Sequence, residues 1–301
     1  MYDIIIVGAG PAGLTSAIYG CRSGKKVLVL EAMSYGGQII NTLDIENYPC
    51  EEHISGFDFA TRLYNQAKNL GAEIKLQKVI EIKDNKNTKK VITNKEEYET
   101  KTIIIATGNE NRKLGLDNED SLVGKGVSYC ATCDGHFYKS KTVAVVGGGN
   151  TALEDALYLS DICEKIYLIH RRDEFRGDQK TVELLKNKSN VEFVYNSNVT
   201  KLISEERLNA IEITNKNGEV NTVSVVGLFI AVGRIPENQN FAKLINLDEA
   251  GYIIASEDCK TNVPGIFVAG DSRVKEVRQL TTAVGDGAVS ATQAIKYINS
   301  L

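Results

Sequence analysis

An α/β chain in which one strand–turn–helix unit occurs twice, the second copy inserted into the first, is what this 301-residue sequence predicts. Three observations carry the expectation. Short charge-free runs, Ile4–Val7 and Thr142–Val146, each lead into a glycine-rich turn and then a helical stretch. The order of elements after each turn is the same in both halves. A late strand, Pro264–Asp271, follows the second unit and fits the sheet of the first.

Taken in order, Ile4-Ile5-Ile6-Val7 reads as a strand buried on both faces. Gly8-Ala-Gly10-Pro11-Ala12-Gly13 follows, then a helix to about Ser23 and a second buried strand, Val27–Leu30, ending in Glu31. Val79–Val91 and Glu97–Thr107 alternate like a β-meander, with Asp84–Asn87 as the turn. The meander ends at Ala106-Thr107-Gly108. The second half runs through Gly147-Gly-Gly149-Asn150-Thr151-Ala152, a helix to about Ser160, and a strand at Lys165–Ile169. A second meander with a hairpin at Asn217-Gly218 follows, and it closes at Leu228–Gly233. A helical tail is expected from about Thr281 to Ile298. The chain crossings fall near Asn109–Leu116 and Pro236–Phe241. The expected domains are therefore 1–112 with 241–301, and 117–240.

Composition excludes several classes of protein. Hydrophobic residues at 43% and charged residues at 25% describe an ordinary globular chain. A net charge of −4 offers no basic field to nucleic acid or an anionic membrane. Ile4–Cys21 is uncharged and long enough to suggest a membrane span, but four glycines and Pro11 interrupt it and no basic residue precedes it. A cytoplasmic protein is expected. Six cysteines are too few for a secreted disulfide scaffold.

The glycine turns imply ligands. A strand before, a helix after and an acid 21 residues beyond Gly10 are the context a dinucleotide-binding turn requires. Glycines let the backbone approach a pyrophosphate, whose charge is favoured at the helix N-terminus. Glu31 suits ribose hydroxyls. At the equivalent place in the second unit stand His170-Arg171-Arg172, with Arg176 beyond, and arginines suit a 2′-phosphate. The reading is two Rossmann-like domains of the ββα type, binding FAD in the first and NADPH in the second. The acid in Gly270-Asp271 fits a polyhydroxy ribityl chain.

Between the two units lies Cys130-Ala-Thr-Cys133-Asp134, fourteen residues before the second turn. Zinc would need a second ligand pair at matching spacing, and the three histidines are isolated, so no metal is expected. A redox dithiol is favoured over two unrelated buried thiols: two intervening residues allow a tight disulfide with one low-pKa nucleophile. Asp134 is the candidate proton donor or acceptor.

With these motifs together, the chain resembles the low-molecular-weight, NADPH-dependent bacterial thioredoxin reductases over essentially its whole length. The match is carried by Gly8–Gly13, Gly36-Gly37-Gln38, Cys130–Gly135, Gly147–Ala152, His170–Asp173, Ala269–Asp271 and Arg278-Gln279. The resemblance implies that Cys133 is the thiol next to the flavin, Cys130 the interchange thiol that attacks the partner's disulfide, and Asp134 the acid–base residue. It places Gly36, Gly37, Gln38, Asn47, Thr107, Asp271, Arg278 and Gln279 around FAD, with Pro11, Ala12, Ala106, Gly108, Gly270 and Leu280 beside them. Gly147, Gly149, Asn150, Thr151, His170 and Gly233 would bound the NADPH site, and Arg171, Arg172 and Arg176 would take the 2′-phosphate. It also implies thioredoxin as the protein substrate and a homodimer. His136 stands where the family usually has an apolar residue, and Lys125 where some relatives have Arg.

A disulfide in the NADPH unit cannot readily touch both the flavin of the other unit and a protein substrate, so the 117–240 unit is expected to rotate on its crossings. Alternatives keep the fold and change the reaction: an NADPH-dependent flavin or ferredoxin reductase, which would not need Cys130 and Cys133, or a reductase of another thioredoxin-like protein. A flavin-bound redox sensor without turnover is the non-enzymatic reading.

Overall fold

A computed structural model describes residues 1–42, 44–86 and 88–301. The described chain divides into two compact units, Met1–Glu110 with Ile235–Leu301, and Asn111–Arg234. The fold class is the expected mixed α/β one, with the second unit inserted in the first.

The first unit opens with β1 (Tyr2–Val7), α1 (Pro11–Arg22) and β2 (Val27–Glu31). Next come α2 (Gly56–Asn69), β3 (Glu73–Leu76), β4 (Val79–Asp84), β5 (Lys89–Thr93) and β6 (Glu97–Ile105). Ile4–Val7 of β1 and Val27–Leu30 of β2 carry no charge because both faces of their sheet are covered. They pair in parallel, Ile4 opposite Val27, and β6 joins the other edge of β1 with Ile103 opposite Ile5. The first half of β6 turns to antiparallel partners, with Tyr98 opposite Val91 on β5. The predicted turn at Asp84–Asn87 includes Asn87, which lies outside the described residues.

The crossing β7 (Asn109–Asn111) leads into the second unit. It contains β8 (Val127–Ser128), the single turn α3 (Ala131–Asp134), β9 (Thr142–Gly147), α4 (Asn150–Ser160), β10 (Lys165–Ile169), α5 (Gln179–Lys186) and β11 (Val191–Val194). A parallel sheet runs β11-β10-β9-β15-β8, where β15 is Gly227–Ala231. The meander β12 (Ser197–Ser204), β13 (Leu208–Asn215) and β14 (Val220–Ser224) forms a separate antiparallel sheet. The return crossing is β16 (Arg234–Pro236).

Back in the first unit, β17 (Ile266–Val268) pairs in parallel with the second half of β6, Phe267 opposite Ile104. The late strand therefore joins the first sheet, as its sequence suggested. The chain then forms α6 (Leu280–Asn299). Small residues let α6 lie close on α1: a Cβ on Gly287 would meet the Ala12 carbonyl oxygen at 2.4 Å. Ser16 Oγ donates to that glycine's carbonyl at 3.1 Å.

Two helices absent from the sequence reading, α2 and α5, carry N-cap signals. Ser55 Oγ accepts from Asp58 N–H at 3.0 Å, and Asp178 Oδ2 accepts from Thr181 N–H at 3.0 Å.

Candidate active site: two glycine turns and a redox disulfide

In the first unit, β1 hands the chain to α1 through Gly8–Gly13, and the individual glycines do different work. Gly8 sits at φ +107, with the Ala106 carbonyl oxygen 2.4 Å from where a Cβ would be. At Gly13 a Cβ would lie 2.0 Å from the Gly8 carbonyl oxygen. Both are packing requirements. Gly10 differs: only Gly37 Cα, at 3.9 Å, lies within reach of its missing Cβ. Gly10 is also the N-cap of α1 and offers no side-chain acceptor, so the first helical amides are left for an anion. This cradle fits a dinucleotide pyrophosphate.

The residues around that turn fit the rest of such a ligand. Glu31 Oε2 accepts from Ala9 N–H at 2.8 Å and Oε1 from Met33 N–H at 2.9 Å, which fixes the carboxylate at the end of β2. Gly36 N–H donates to the Ala9 carbonyl at 2.8 Å, bringing Gly36-Gly37 against the first turn. Gln38 Nε2 donates to the Asn109 carbonyl, and Asn47 Nδ2 to Gln279 Oε1 at 3.4 Å. Gln279 also forms a capping box with Thr282 at the start of α6, where Leu280 is the first helical residue. The Arg278 guanidinium lies over the Tyr252 ring at 4.3 Å, and its buried Nε has no hydrogen-bond partner. A buried donor without a partner is costly and suits a polar ligand. Thr107 Oγ1 donates to Asn238 Oδ1 at 3.0 Å, and Asn238 in turn donates to the Ser272 carbonyl at 2.9 Å. Asn238 thus ties the Ala106-Thr107-Gly108 strand end to the Gly270-Asp271 strand end. Nothing in the local sequence marked it.

The second unit repeats the turn with a different lining. Gly147 has φ +158 and would place a Cβ 2.4 Å from the Ala231 carbonyl oxygen. Gly149, the N-cap of α4, has open space where its Cβ would be. Asn150 begins α4, and its Oδ1 accepts from Asp178 N–H at 2.7 Å, drawing the 170–178 loop onto the turn beside exposed Thr151. Arg176 N–H donates to the Gly148 carbonyl at 2.8 Å. Arg171, Arg172 and Arg176 are all exposed and free to meet a phosphate. His170 is placed differently from its neighbours. Its ring is buried, stacks on Phe175 at 5.1 Å, and fills the space a Gly148 Cβ would need. Burial pushes its pKa down, and the nearby arginines add to that despite the opposing bond to the Glu174 carbonyl. A neutral His170 supports the turn from beneath. Gly233, at φ +112, follows β15 as Gly108, at φ +71, follows β6, and its carbonyl accepts from Arg112 N–H at 2.9 Å.

Cys130 and Cys133 form a disulfide with Cα atoms 5.3 Å apart. Both are partly exposed, whereas Cys163 and Cys259 are buried thiols whose pKa values burial raises, to about 11 and about 12. Beside the pair, burial also raises the Asp134 carboxyl, against a hydrogen bond from Ser128. Ser128 Oγ lies 2.6 Å from Asp134 Oδ2, accepts from Cys130 N–H at 3.1 Å and approaches the Cys130 carbonyl at 3.3 Å. A carboxyl that holds its proton more readily than usual, next to a disulfide, is equipped to protonate a leaving thiolate. Ser128, which the sequence reading did not single out, joins this carboxyl to the cysteine backbone.

The likeness to known proteins agrees with this chemistry. The family described as pyridine nucleotide-disulphide oxidoreductase matches residues 2–287. The thioredoxin reductase of Listeria innocua is 41% identical over 303 residues, covering 100% of this chain and 95% of that protein. A crystal structure of thioredoxin reductase from Streptococcus pyogenes is 39% identical, covers 100% of this chain and 99% of that one, and superposes with a TM-score of 0.96. That of Lactococcus lactis thioredoxin reductase, in a form titled the FR conformation, is 40% identical with full coverage of both chains and a TM-score of 0.70. No described helix is long and apolar enough to cross a membrane. Two dinucleotide-type turns and a disulfide with its own acid in one chain are what flavin- and nicotinamide-dependent disulfide chemistry requires, and this chain belongs to the pyridine nucleotide-disulphide oxidoreductases.

Proposed function

We propose that the chain is a thioredoxin-disulfide reductase that takes electrons from NADPH through FAD and the Cys130–Cys133 disulfide. In this reading the unit formed by Met1–Glu110 and Ile235–Leu301 holds FAD, and Asn111–Arg234 holds NADPH. The observation that carries it is the disulfide with Asp134 beside it, set in the same unit as a glycine turn lined by arginines. Bound flavin would relay a hydride equivalent from nicotinamide to a disulfide. The chain's own residues bind and orient. Gly8–Gly13 and Glu31 hold one dinucleotide, with Asp271, Arg278 and Gln279 at its far end. Gly147–Thr151 holds the other, with Arg171, Arg172 and Arg176 for a 2′-phosphate that NADH lacks.

Two electrons open the Cys130–Cys133 bond through Cys133, and Asp134 supplies a proton to the sulfur released. Asp134 takes that proton back as Cys130, now a thiolate, attacks the partner's disulfide, forming a mixed disulfide and expelling one partner sulfur, which is protonated from water. Cys133 attacks that mixed bond, the partner leaves as a dithiol, and the original disulfide re-forms. The nicotinamide turn and the disulfide lie in one unit and the flavin turn in the other, so the inserted unit presents each in alternation. The resemblance also supports a cytoplasmic homodimer, which light scattering and cell fractionation test.

The deciding experiment follows NADPH oxidation by the purified yellow protein with DTNB, with and without thioredoxin. Strong dependence on thioredoxin supports the reading, whereas flavin bleaching without DTNB reduction overturns the role of Cys130 and Cys133. Cys133→Ser is expected to abolish disulfide reduction and leave flavin reduction by NADPH intact. Cross-linking the units in one orientation is expected to stop turnover, and undiminished turnover would refute the alternation.

A further inference from the structure

Outside the residues already assigned, one buried charge cluster stands out by what it grips. Asp286, on α6, has a side chain only 9% exposed. Its Oδ2 accepts from Gly270 N–H at 3.0 Å, Arg273 Nε at 2.8 Å and Lys275 Nζ at 2.9 Å, and its Oδ1 accepts from Arg273 Nη2 at 2.9 Å. Arg273 and Lys275 are 3% and 7% exposed. Burial alone would push the Asp286 carboxyl up, but the bonds from Arg273 and Lys275 hold it below the usual carboxylate range. Two buried cations share one buried carboxylate. The other acid near Arg273, Glu257 at 3.6 Å, is 95% exposed and largely screened by water.

The targets of these bonds lie on both sides of Asp271. Gly270 precedes it, and Arg273 and Lys275 follow it. The Arg273 carbonyl is in turn approached by Arg278 Nη2 at 3.5 Å. The first glycine turn meets the same spot, because a Cβ on Gly270 would lie 2.9 Å from Ala12 Cβ. A salt bridge meant only to fasten α6 to the sheet would need one partner. Asp286 instead clamps the backbone ahead of Asp271 and the two cations behind it. We propose that Asp286, with Arg273 and Lys275 as its anchors, is a positioning residue that fixes the Gly270–Lys275 segment in the shape that receives the flavin dinucleotide. This rests on the reading of the first unit as the FAD unit. Asp286 touches no reacting atom and acts through Asp271 and Arg278.

The test compares apoprotein and FAD-reconstituted protein for the wild type, Asp286→Asn and Lys275→Met. A ligand that binds only the folded state raises its melting temperature by mass action, so the gap between the two forms reports affinity. Asp286→Asn is expected to weaken FAD binding at least tenfold, read by recovery of free-flavin fluorescence, and to shrink the gap. Lys275→Met keeps the Arg273–Asp286 pair, so it remains informative if Asp286→Asn does not fold, and it is expected to shrink the gap by a smaller amount. Equal losses of stability in apo and holo forms, with FAD affinity unchanged in both variants, would overturn the proposal and leave the cluster a plain structural brace. Wild-type protein that neither holds nor takes up FAD would instead overturn the reading of the first unit, and the clamp with it.

Discussion

The substitution Asp155→Asn is expected to stabilise this protein at alkaline pH and to do little in acid. Asp155 lies on α4, the helix that starts at the second glycine turn, between core residues Leu153 and Ala156. Burial raises its carboxyl from 3.8 to about 7, against the pull of Arg234 and with a smaller push from Glu154. The folded chain therefore holds this proton more tightly than the unfolded chain does. Stability from the group is fully present below about pH 4, falls as pH rises towards 7, and is gone above it. A shift of about three units at 1.36 kcal/mol each sets a ceiling of about 4 kcal/mol. Asp155 is only partly buried, and screening by water brings the expected cost to about 2 kcal/mol. An amide has nearly the same shape and cannot ionise, so it removes the cost. The assay is urea denaturation followed by circular dichroism at pH 5, 6, 7 and 8 for the wild type and the variant. The stability difference should favour the variant by about 2 kcal/mol at pH 8 and shrink steadily towards pH 5. A difference of the same size at every pH, or none at pH 8, would refute the assignment of a buried, proton-holding carboxyl to Asp155.

Three further outcomes follow from the two turns and the redox pair. Ser128→Ala removes the hydrogen bond that opposes the effect of burial on Asp134, so the pH–rate profile of disulfide reduction is expected to move to higher pH, with Ser128→Thr restoring it; an unmoved profile would separate Ser128 from the proton transfer. Arg176→Ala is expected to raise KM for NADPH about tenfold or more while leaving KM for NADH nearly unchanged, since a charge-assisted hydrogen bond contributes about 1.5–3 kcal/mol; a parallel rise for both nucleotides would remove Arg176 from the 2′-phosphate site. Gly13→Ala forces a methyl to 2.0 Å from the Gly8 carbonyl and is expected to cost about 1–3 kcal/mol of apoprotein stability, whereas Gly10→Ala meets only Gly37 Cα, at an ordinary contact of 3.9 Å, and should lose FAD affinity alone. Urea melts of the two apoproteins with flavin retention measured in parallel distinguish these, and equal behaviour would mean the glycines do not divide their work.

Much of the architecture was legible because it rests on patterns local in sequence. Charge-free strands such as Ile4–Val7 and Thr142–Val146 announce a sheet covered on both faces, and glycines between strand and helix announce a turn that must be crossed by bare backbone. Helices α2 and α5 escaped because their buried faces are narrow and most of their residues are polar. Both signals were nonetheless in the sequence: an apolar stripe of Phe59, Ala60, Leu63 and Ala67 in α2 and of Val182 and Leu185 in α5, and the caps, Ser55 with Asp58 and Asp178 with Thr181. His170 shows the limit of reading by neighbourhood. It sits in a row of arginines, yet its ring turns inward against Gly148 while theirs stay in water: just after β10, its N–H still donates to the Val194 carbonyl and its carbonyl accepts from Ser197 N–H, whereas Arg171 and Arg172 lie in the exposed loop beyond.

The polar residues that join distant segments follow another rule. Thr107 with Asn238, Ser128 with Asp134, and Asp286 with Gly270 connect segments by tertiary folding, which no period of 2 or 3.6 encodes. Something of them is still visible. Between Leu280 and Ile295, Asp286 is the one charged side chain in a run of small and apolar residues. A helix of that composition packs closely against its neighbours, so its single carboxylate has to enter the interior with partners or be lost to protonation. The sequence therefore implies a buried cation without saying which of its 35 lysines and arginines supplies it. The fold makes the choice, bringing Arg273 and Lys275 from the segment that follows Asp271 and placing the clamp on the proposed flavin turn.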